Sequence, residues 1–346
     1  MRDAYIISAV RTPVGKAFKG SFKATRPDTL AAAAITESIR RVPGLDPARI
    51  GDVVLGCAMP EGEQGLNVAR ISLLLAGLPK EVTGMTLNRF CSSGLEAVNY
   101  AAMLIQTGRA NIVVAGGVES MSLIPMGGNK PSPNPRLVDE YPGVFIGMGL
   151  TAERVAQRYG ITREEQDRFA LESHRKAVRA IEENRFSEET VPVEVHEKMV
   201  GDSGRVEERS VTVGVDDGPR ADTSMEALAK LKPAFKMGGT VTAGNSSQMS
   251  DGAAALILAD EATAASLGAE PLARFAGYAT AGVDPELMGM GPVEAVPRVF
   301  TQTGTSLDRI ELIELNEAFA AQALAVNSRQ STVFTSSLDS SSSQSP

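Results

Sequence analysis

The first 118 residues switch back and forth between two hydrophobic periods, and that alternation narrows the fold more than any other feature of the chain. Apolar, β-branched runs at Tyr5–Val10, Ile50–Cys57, Val82–Leu87 and Ala110–Ala115 read as strands. Between them Leu30–Arg41, Asn67–Ala76 and Gly94–Gln106 carry apolar residues at helical spacing. Strict βα alternation predicts a parallel, layered α/β sheet, because each crossover helix covers a sheet face. From Glu119 to about Ser250 the rhythm is lost. Pro and Gly cluster over Pro125–Pro142, a charged helical stretch runs from Arg163 to Arg185, and 201–219 is polar. This is too long for a connecting loop and reads as an inserted subdomain. The α/β rhythm resumes at Asp251–Leu258.

An internal repeat suggests two related halves. Leu45-Asp46-Pro47-Ala48-Arg49-Ile50 leads into a strand-like run, and Leu307-Asp308-Arg309-Ile310 does the same after the helical stretch Val293–Thr303. The later half is expected to supply strands near Leu272–Ala279 and Ile310–Leu315. After Val326 the composition breaks: residues 327–346 hold nine Ser and two Thr, with no Gly or Ala. A segment of that kind cannot bury enough apolar surface to offset its ordering entropy, so disorder is expected.

Chemistry concentrates at Cys91, between a strand-like and a helix-like run. A thiol at a helix start faces unpaired N–H groups and the positive end of the dipole, both of which favour thiolate, the nucleophilic form. Ser92, Ser93 and Gly94 leave room for a substrate. The same position equally suits a buried, inert cysteine, the commoner fate of a free Cys. Cys57 reads as strand-core packing. Of two histidines, His174 falls on a solvated helical face and His196 on an exposed strand position, and neither lies beside a cysteine, so metal and triad chemistry are poorly supported. A formal charge of −8 argues against nucleic acid as the main partner. No apolar stretch is long enough to span a membrane. The N-terminus lacks the features of a signal peptide, and two cysteines suit a reducing compartment, so a cytoplasmic location is expected.

Four segments in order resemble the thiolase family, the acyl-CoA acetyltransferases. They are Ser8–Gly15, Asn88-Arg89-Phe90-Cys91-Ser92-Ser93-Gly94, Val241–Ala255, and Glu314-Leu315-Asn316-Glu317-Ala318-Phe319-Ala320. The Asn245-Ser246-Ser247-Gln248 stretch is closer to the degradative 3-ketoacyl-CoA type. The resemblance implies an α/β fold of two related βα halves: 1–118 plus 251–270, and a partial second half, 271–326. A loop subdomain at 119–250 would bind coenzyme A. It implies Cys91 as the acyl-accepting nucleophile and Asn316 as the residue that positions a water in an oxyanion hole. Coenzyme A, a substrate rather than a cofactor, would meet the basic island holding Arg220, Lys230 and Lys232. Ala243, Gly244 and Ser247 would line the pantetheine path, with Met148 and Phe319 near the thioester. A homodimer or homotetramer is implied if the fold survives. Two further family motifs, Gly-His-Pro and Cys-x-Gly, do not occur here. With the break at Asn327, this implies a C-terminally truncated chain with a non-family tail and impaired turnover. A non-catalytic coenzyme A-binding or partner-binding remnant is the alternative.

Overall fold

The computed structural model describes residues 2–200 and 206–341, with the backbone alone over 197–200, 206–208 and 331–341. In chain order the strands are β1 (Ala4–Arg11), β2 (Gly15–Lys16), β3 (Asp52–Gly56), β4 (Thr83–Leu87), β5 (Ile112–Ser120), β6 (Val193–Val200), β7 (Val206–Val213), β8 (Ser250–Asp260) and β9 (Ala273–Arg274). The helices are α1 (Pro27–Arg40), α2 (Val68–Leu75), α3 (Ser93–Gln106), α4 (Pro135–Glu140), α5 (Met148–Tyr159), α6 (Arg163–Glu182), α7 (Met225–Ala229), α8 (Glu261–Ser266), α9 (Gly291–Thr303) and α10 (Ala320–Ser341). The early strands and helices fall within a few residues of where hydrophobic period put them.

The chain forms two compact units. One comprises 1–131, 180–218 and 249–275; the other comprises 132–179, 219–248 and 276–346. Neither coincides with the expected 119–250 insertion. The middle of that stretch returns to the first unit, where Val191, Val193 and Val195 join its core and Arg11 forms a forked ion pair with Asp216. The segment after residue 275 groups with the rest of the insertion.

In the first unit a 7-stranded sheet has the order β4-β3-β5-β8-β1-β9, with β2 paired to β8. Period-2 alternation sends Val53 and Leu55 to one face, against α1 and α2, and Val54 to the other, against α3. The expected all-parallel sheet is corrected: β3 pairs parallel with β4 and β5, but β8 runs antiparallel to both β5 and β1. No βαβ crossover leads into β8. It arrives from the long inserted segment, so crossover geometry does not dictate its direction.

The second unit packs Val155 of α5, Met290, and Ala325 and Val326 of α10 around one small core. The repeat holds as far as helix and turn: α9 is followed by a 3-10 turn at Leu307–Arg309, as Pro47–Arg49 precedes β3. The second strand does not follow. Ile310–Leu315 is irregular, and the expected Leu272–Ala279 strand shrinks to β9, which pairs with β1. A strand exists only where its N–H and C=O groups find a partner strand.

The segment expected to be disordered from Asn327 instead extends α10 to Ser341; residues 342–346 lie outside the described residues. Ala320, Ala321, Ala323, Ala325 and Val326 are buried and anchor the helix start. Once nucleated, each further residue adds a hydrogen bond at the small propensity cost of serine, under about 0.7 kcal/mol. Arg329 adds a cation–π contact, its guanidinium 5.1 Å from the Tyr159 ring centroid.

Candidate active site

Strand β4 ends at Leu87, and the chain turns through Asn88 and Arg89 into a 3-10 turn, Phe90–Ser92, that runs directly into α3. Cys91 is the middle residue of that turn and is exposed. Phe90 is held at φ 47°, a left-handed conformation costing a non-glycine residue about 1–2 kcal/mol. Local hydrogen bonds offset that cost. Phe90 N–H donates to Asn88 Oδ1 at 2.7 Å, and Ser93 Oγ donates to Phe90 O at 2.6 Å while accepting from Arg89 N–H at 2.8 Å. Asn88 Nδ2 donates to Ala58 O at 2.9 Å, tying the turn to the loop after β3.

Helix α3 reaches the sheet this closely because residue 56 is glycine. A Cβ there would lie 2.3 Å from Ser93 C and 2.6 Å from Gly94 N. Farther along α3, Ala97, Ala101, Ala102 and Ile105 pack on Val54, Val113, Ala115 and Leu258. Burial of Ile105 alone contributes about 2 kcal/mol. Gly108 at φ 72° ends the helix, with Arg109 N–H donating to Leu104 O. The Cys91 turn therefore sits on a rigid two-layer support.

The two thiols have opposite surroundings. Cys57 is buried, and burial, then the neighbouring Glu119 carboxylate, push its thiol up to about 12. At neutral pH Cys57 is an inert thiol, as its sequence setting suggested. Cys91 is the accessible one. Glu119 itself, at the end of β5, is raised above the usual carboxylate range by burial. Its carboxylate accepts from Ala58 N–H at 2.7 Å, Met59 N–H at 3.3 Å and Gln64 Nε2.

The second unit gathers five other expected residues around one loop. The Glu153 carboxylate of α5 accepts from Thr240 and Val241 N–H at 3.0 and 2.9 Å. Asn245 Nδ2 donates to Asp167 of α6 at 2.9 Å, and Asn245 Oδ1 accepts from Thr242 N–H. These buried groups shape 240–247, which carries Ala243, Gly244 and Ser247. Leu228 and Leu231 crowd Gly244, where a Cβ would lie within 2.6 Å of both. Ser247 N–H donates to Ala318 O, and Ala320 N–H donates to Asn245 O, so two motifs some 70 residues apart are paired by backbone. Phe319 meets Phe235 edge to face with centroids 6.0 Å apart, and Phe235 covers Gly149 beside Met148.

The remaining expected residues are more scattered. Asn316 is exposed in the irregular segment before Phe319. The Arg220 guanidinium is forked on Asp222, with contacts of 3.0 and 2.8 Å, and holds that carboxyl below its usual range. Lys230 and Lys232 are exposed, and a Lys at 236 follows on the same stretch. His174 is half-buried rather than on a fully solvated face, because its Nδ1 accepts from Arg220 N–H at 3.2 Å. His196 is exposed on β6, as alternation predicted. Among the described residues no group of three or more His, Cys, Asp or Glu could hold a metal ion, and no helix is long and apolar enough to cross a membrane.

The family models for "Thiolase, N-terminal domain" and "Thiolase, C-terminal domain" match residues 4–262 and 269–336. The chain belongs to the thiolase family. It is 49% identical over 326 residues to the 3-ketoacyl-CoA thiolase of Bacillus subtilis (strain 168), covering 94% of this chain and 83% of that one. It is 45% identical over 338 residues to an acetyl-CoA acetyltransferase of Pseudomonas aeruginosa, with the same two coverages. The crystal structure of the Bacillus anthracis acetyl-CoA acetyltransferase superposes with a TM-score of 0.85 at 41% identity, over 96% of this chain and 84% of that one. The thiolase α/β fold is thereby established across both matched domains, and the chain is a member of an acyltransferase family. The C-terminal match ends at 336, ten residues past Val326, inside the serine-rich segment.

Sequence reasoning passed over Asn88, Glu119, Gln64, Glu153 and Asp167. For Glu119 the signal was available: a lone acid at the end of the apolar run from Ile112. A carboxylate there must find donors or pay heavily for burial.

Proposed function

We propose that this thiolase-family chain transfers acyl groups between thiols through a cysteine acyl-enzyme, with 3-ketoacyl-CoA or, in the Claisen direction, acetyl-CoA as substrate. The observation that carries the reading is Cys91, an accessible thiol on a built turn, whereas burial makes the other thiol, Cys57, inert. In the thiolytic direction the Cys91 thiolate attacks the 3-keto carbon. The Cα–Cβ bond breaks, acetyl-CoA leaves once its α-carbon takes a proton, and the acyl group stays on sulfur until a second coenzyme A thiol accepts it. Charge develops on a carbonyl oxygen in each half-reaction and requires fixed donors. The Cys91 backbone N–H serves one oxyanion, and Asn316 positions a water for the other. Lys230, Lys232 and Arg220 meet the nucleotide phosphates of coenzyme A. Of these, the lysines carry most of the attraction, since Asp222 already offsets the Arg220 charge. Ala243, Gly244 and Ser247 flank the pantetheine, and Met148 and Phe319 the thioester. No cofactor takes part in this scheme, and coenzyme A and acyl-CoA are the ligands. Fatty acid metabolism in the cytoplasm, in a homodimer or homotetramer, fits this chemistry.

A second reading is favoured by a specific observation. The sequence carries no Gly-His-Pro and no cysteine besides Cys57 and Cys91. Positioned proton transfer supplies about 10²–10⁴-fold in rate, so these 346 residues by themselves would acylate but turn over slowly, and the second reading is a non-catalytic coenzyme A-binding or partner-binding role for them. Mass spectrometry after exposure to acetyl-CoA tests the common core: an acetyl adduct confined to Cys91 supports the acyl-enzyme, and its absence refutes it. Thiolysis of acetoacetyl-CoA, followed by loss of thioester absorbance, then separates the two readings, because robust turnover sinks the impaired one.

A further inference from the structure

Glu119 and Asn88 are joined by hydrogen bonds to opposite sides of Ala58, and the line ends at Phe90, the residue before Cys91. The Glu119 carboxylate, on β5, grips the N–H groups of Ala58 and Met59 and the amide of Gln64. Gln64 is fully buried; it also donates to Met59 O at 2.8 Å and accepts from Ser120 N–H at 2.9 Å, so the loop after β3 is stapled to the end of β5. The carbonyl of Ala58, on the residue whose N–H Glu119 holds, accepts from Asn88 Nδ2. The other end of the same amide accepts from Phe90 N–H and so holds the left-handed residue next to Cys91. Every group in this line belongs to the first unit.

We propose that Asn88 and Glu119 are positioning residues for Cys91: the buried carboxylate immobilises the Ala58–Met59 loop, and Asn88 transfers that immobility to the nucleophile turn. Neither touches the thiol. An Asn at 88 suits the task because it donates and accepts at once, and no hydrophobic or purely acceptor side chain of similar size can do both. A carboxylate at 119 suits its own task because it accepts several bonds from fixed donors, and charge-assisted bonds are the stronger kind. The proposal takes its interest from the acyl-enzyme reading above, but its test does not need acyl-CoA.

The test is the alkylation rate of Cys91 by iodoacetamide in the full chain, read at each cysteine by mass spectrometry. It compares wild type, Asn88→Ala, Glu119→Gln, the double variant and Asn88→Ser. Each of the first two single variants is expected to slow Cys91 alkylation about tenfold, because Phe90, freed from its strained left-handed conformation, relaxes and turns the neighbouring thiol out of its exposed position. The double variant should fall no further than the slower single, because both cut the same line. Asn88→Ser keeps a side-chain acceptor for Phe90 N–H and should recover part of the rate. Wild-type rates in Asn88→Ala, additive losses in the double variant, or no recovery in Asn88→Ser would each overturn the proposal. Cys57 reports folding, since it stays unmodified while buried. If Glu119→Gln exposes it, Asn88→Ala against Asn88→Ser still decides, because Asn88 lies at the surface. A chain that alkylates as expected yet takes no acetyl group would refute the acyl-enzyme reading and leave this one standing.

Discussion

Adding one methyl group at Gly56 should displace Cys91 without touching it. The alanine Cβ would lie 2.3 Å from Ser93 C and 2.6 Å from Gly94 N, whereas ordinary contact begins near 3.4 Å. The obstacles are backbone atoms in the first turn of α3 and cannot swing aside as a flexible side chain would. Relief requires about 1 Å of movement of that turn, which carries Cys91 two residues upstream, or an equal distortion of β3, which is hydrogen-bonded on both sides. Overpacking of this kind costs about 1–3 kcal/mol. A shift near 1 Å at the nucleophile costs on the order of 10²-fold in a geometry-sensitive reaction. The assays are urea unfolding of Gly56→Ala and the rate of acetyl transfer from acetyl-CoA to Cys91. Gly282→Ala serves as the control, because nothing lies within 4 Å of a Cβ there. The control should stay within about 0.5 kcal/mol of wild type. A Gly56→Ala chain that matches wild type in both stability and acylation would refute the claim that close helix–sheet approach places the turn.

Other consequences can be checked with the same material. At pH 8 iodoacetamide should label Cys91 and spare Cys57 until the chain unfolds, read by peptide mass. Because the folded state holds the Cys57 proton up to about 12, against about 9 when unfolded, the folded state binds more protons between those values. Stability from this group is present below pH 9 and is lost as pH rises toward 12, which denaturant titrations at stepped pH will show. Glu153→Ala leaves the Thr240 and Val241 N–H groups without their carboxylate; it should cost about 2–3 kcal/mol in urea unfolding and weaken coenzyme A binding by calorimetry. Lys230→Ala and Lys232→Ala should each weaken coenzyme A binding several-fold at low salt, the difference shrinking as ionic strength rises. An equal loss at high salt would argue against a charge-based phosphate contact.

Much of this was legible from residue order because it is local. Strand and helix periods marked the elements around Cys91, and a cysteine at a strand–helix junction next to Ser92-Ser93-Gly94 marked a candidate nucleophile. Exposure at Cys91 decided between the accessible and buried settings that local pattern left open there. What resisted reading depends on partners distant in sequence. Strand β8 reads as a strand by period alone, but its antiparallel place between β5 and β1 is a matter of which edges are free. Ile310–Leu315 has the composition of a strand and is none, for want of a neighbour. Arg220 reads as a free cation until Asp222 is seen in its fork.

The sequence by itself determined the layered α/β class and the thiolase family and marked Cys91 as the candidate nucleophile, because hydrophobic period and short motifs are properties of neighbouring residues. Only the tertiary structure decided which groups hold that thiol in place. Glu119, the Ala58–Gln64 segment and Asn88 are distant in the chain and become one hydrogen-bonded line only when β5 and the loop after β3 lie side by side. A buried carboxylate has to find its donors wherever the fold brings them, and no spacing rule records that meeting.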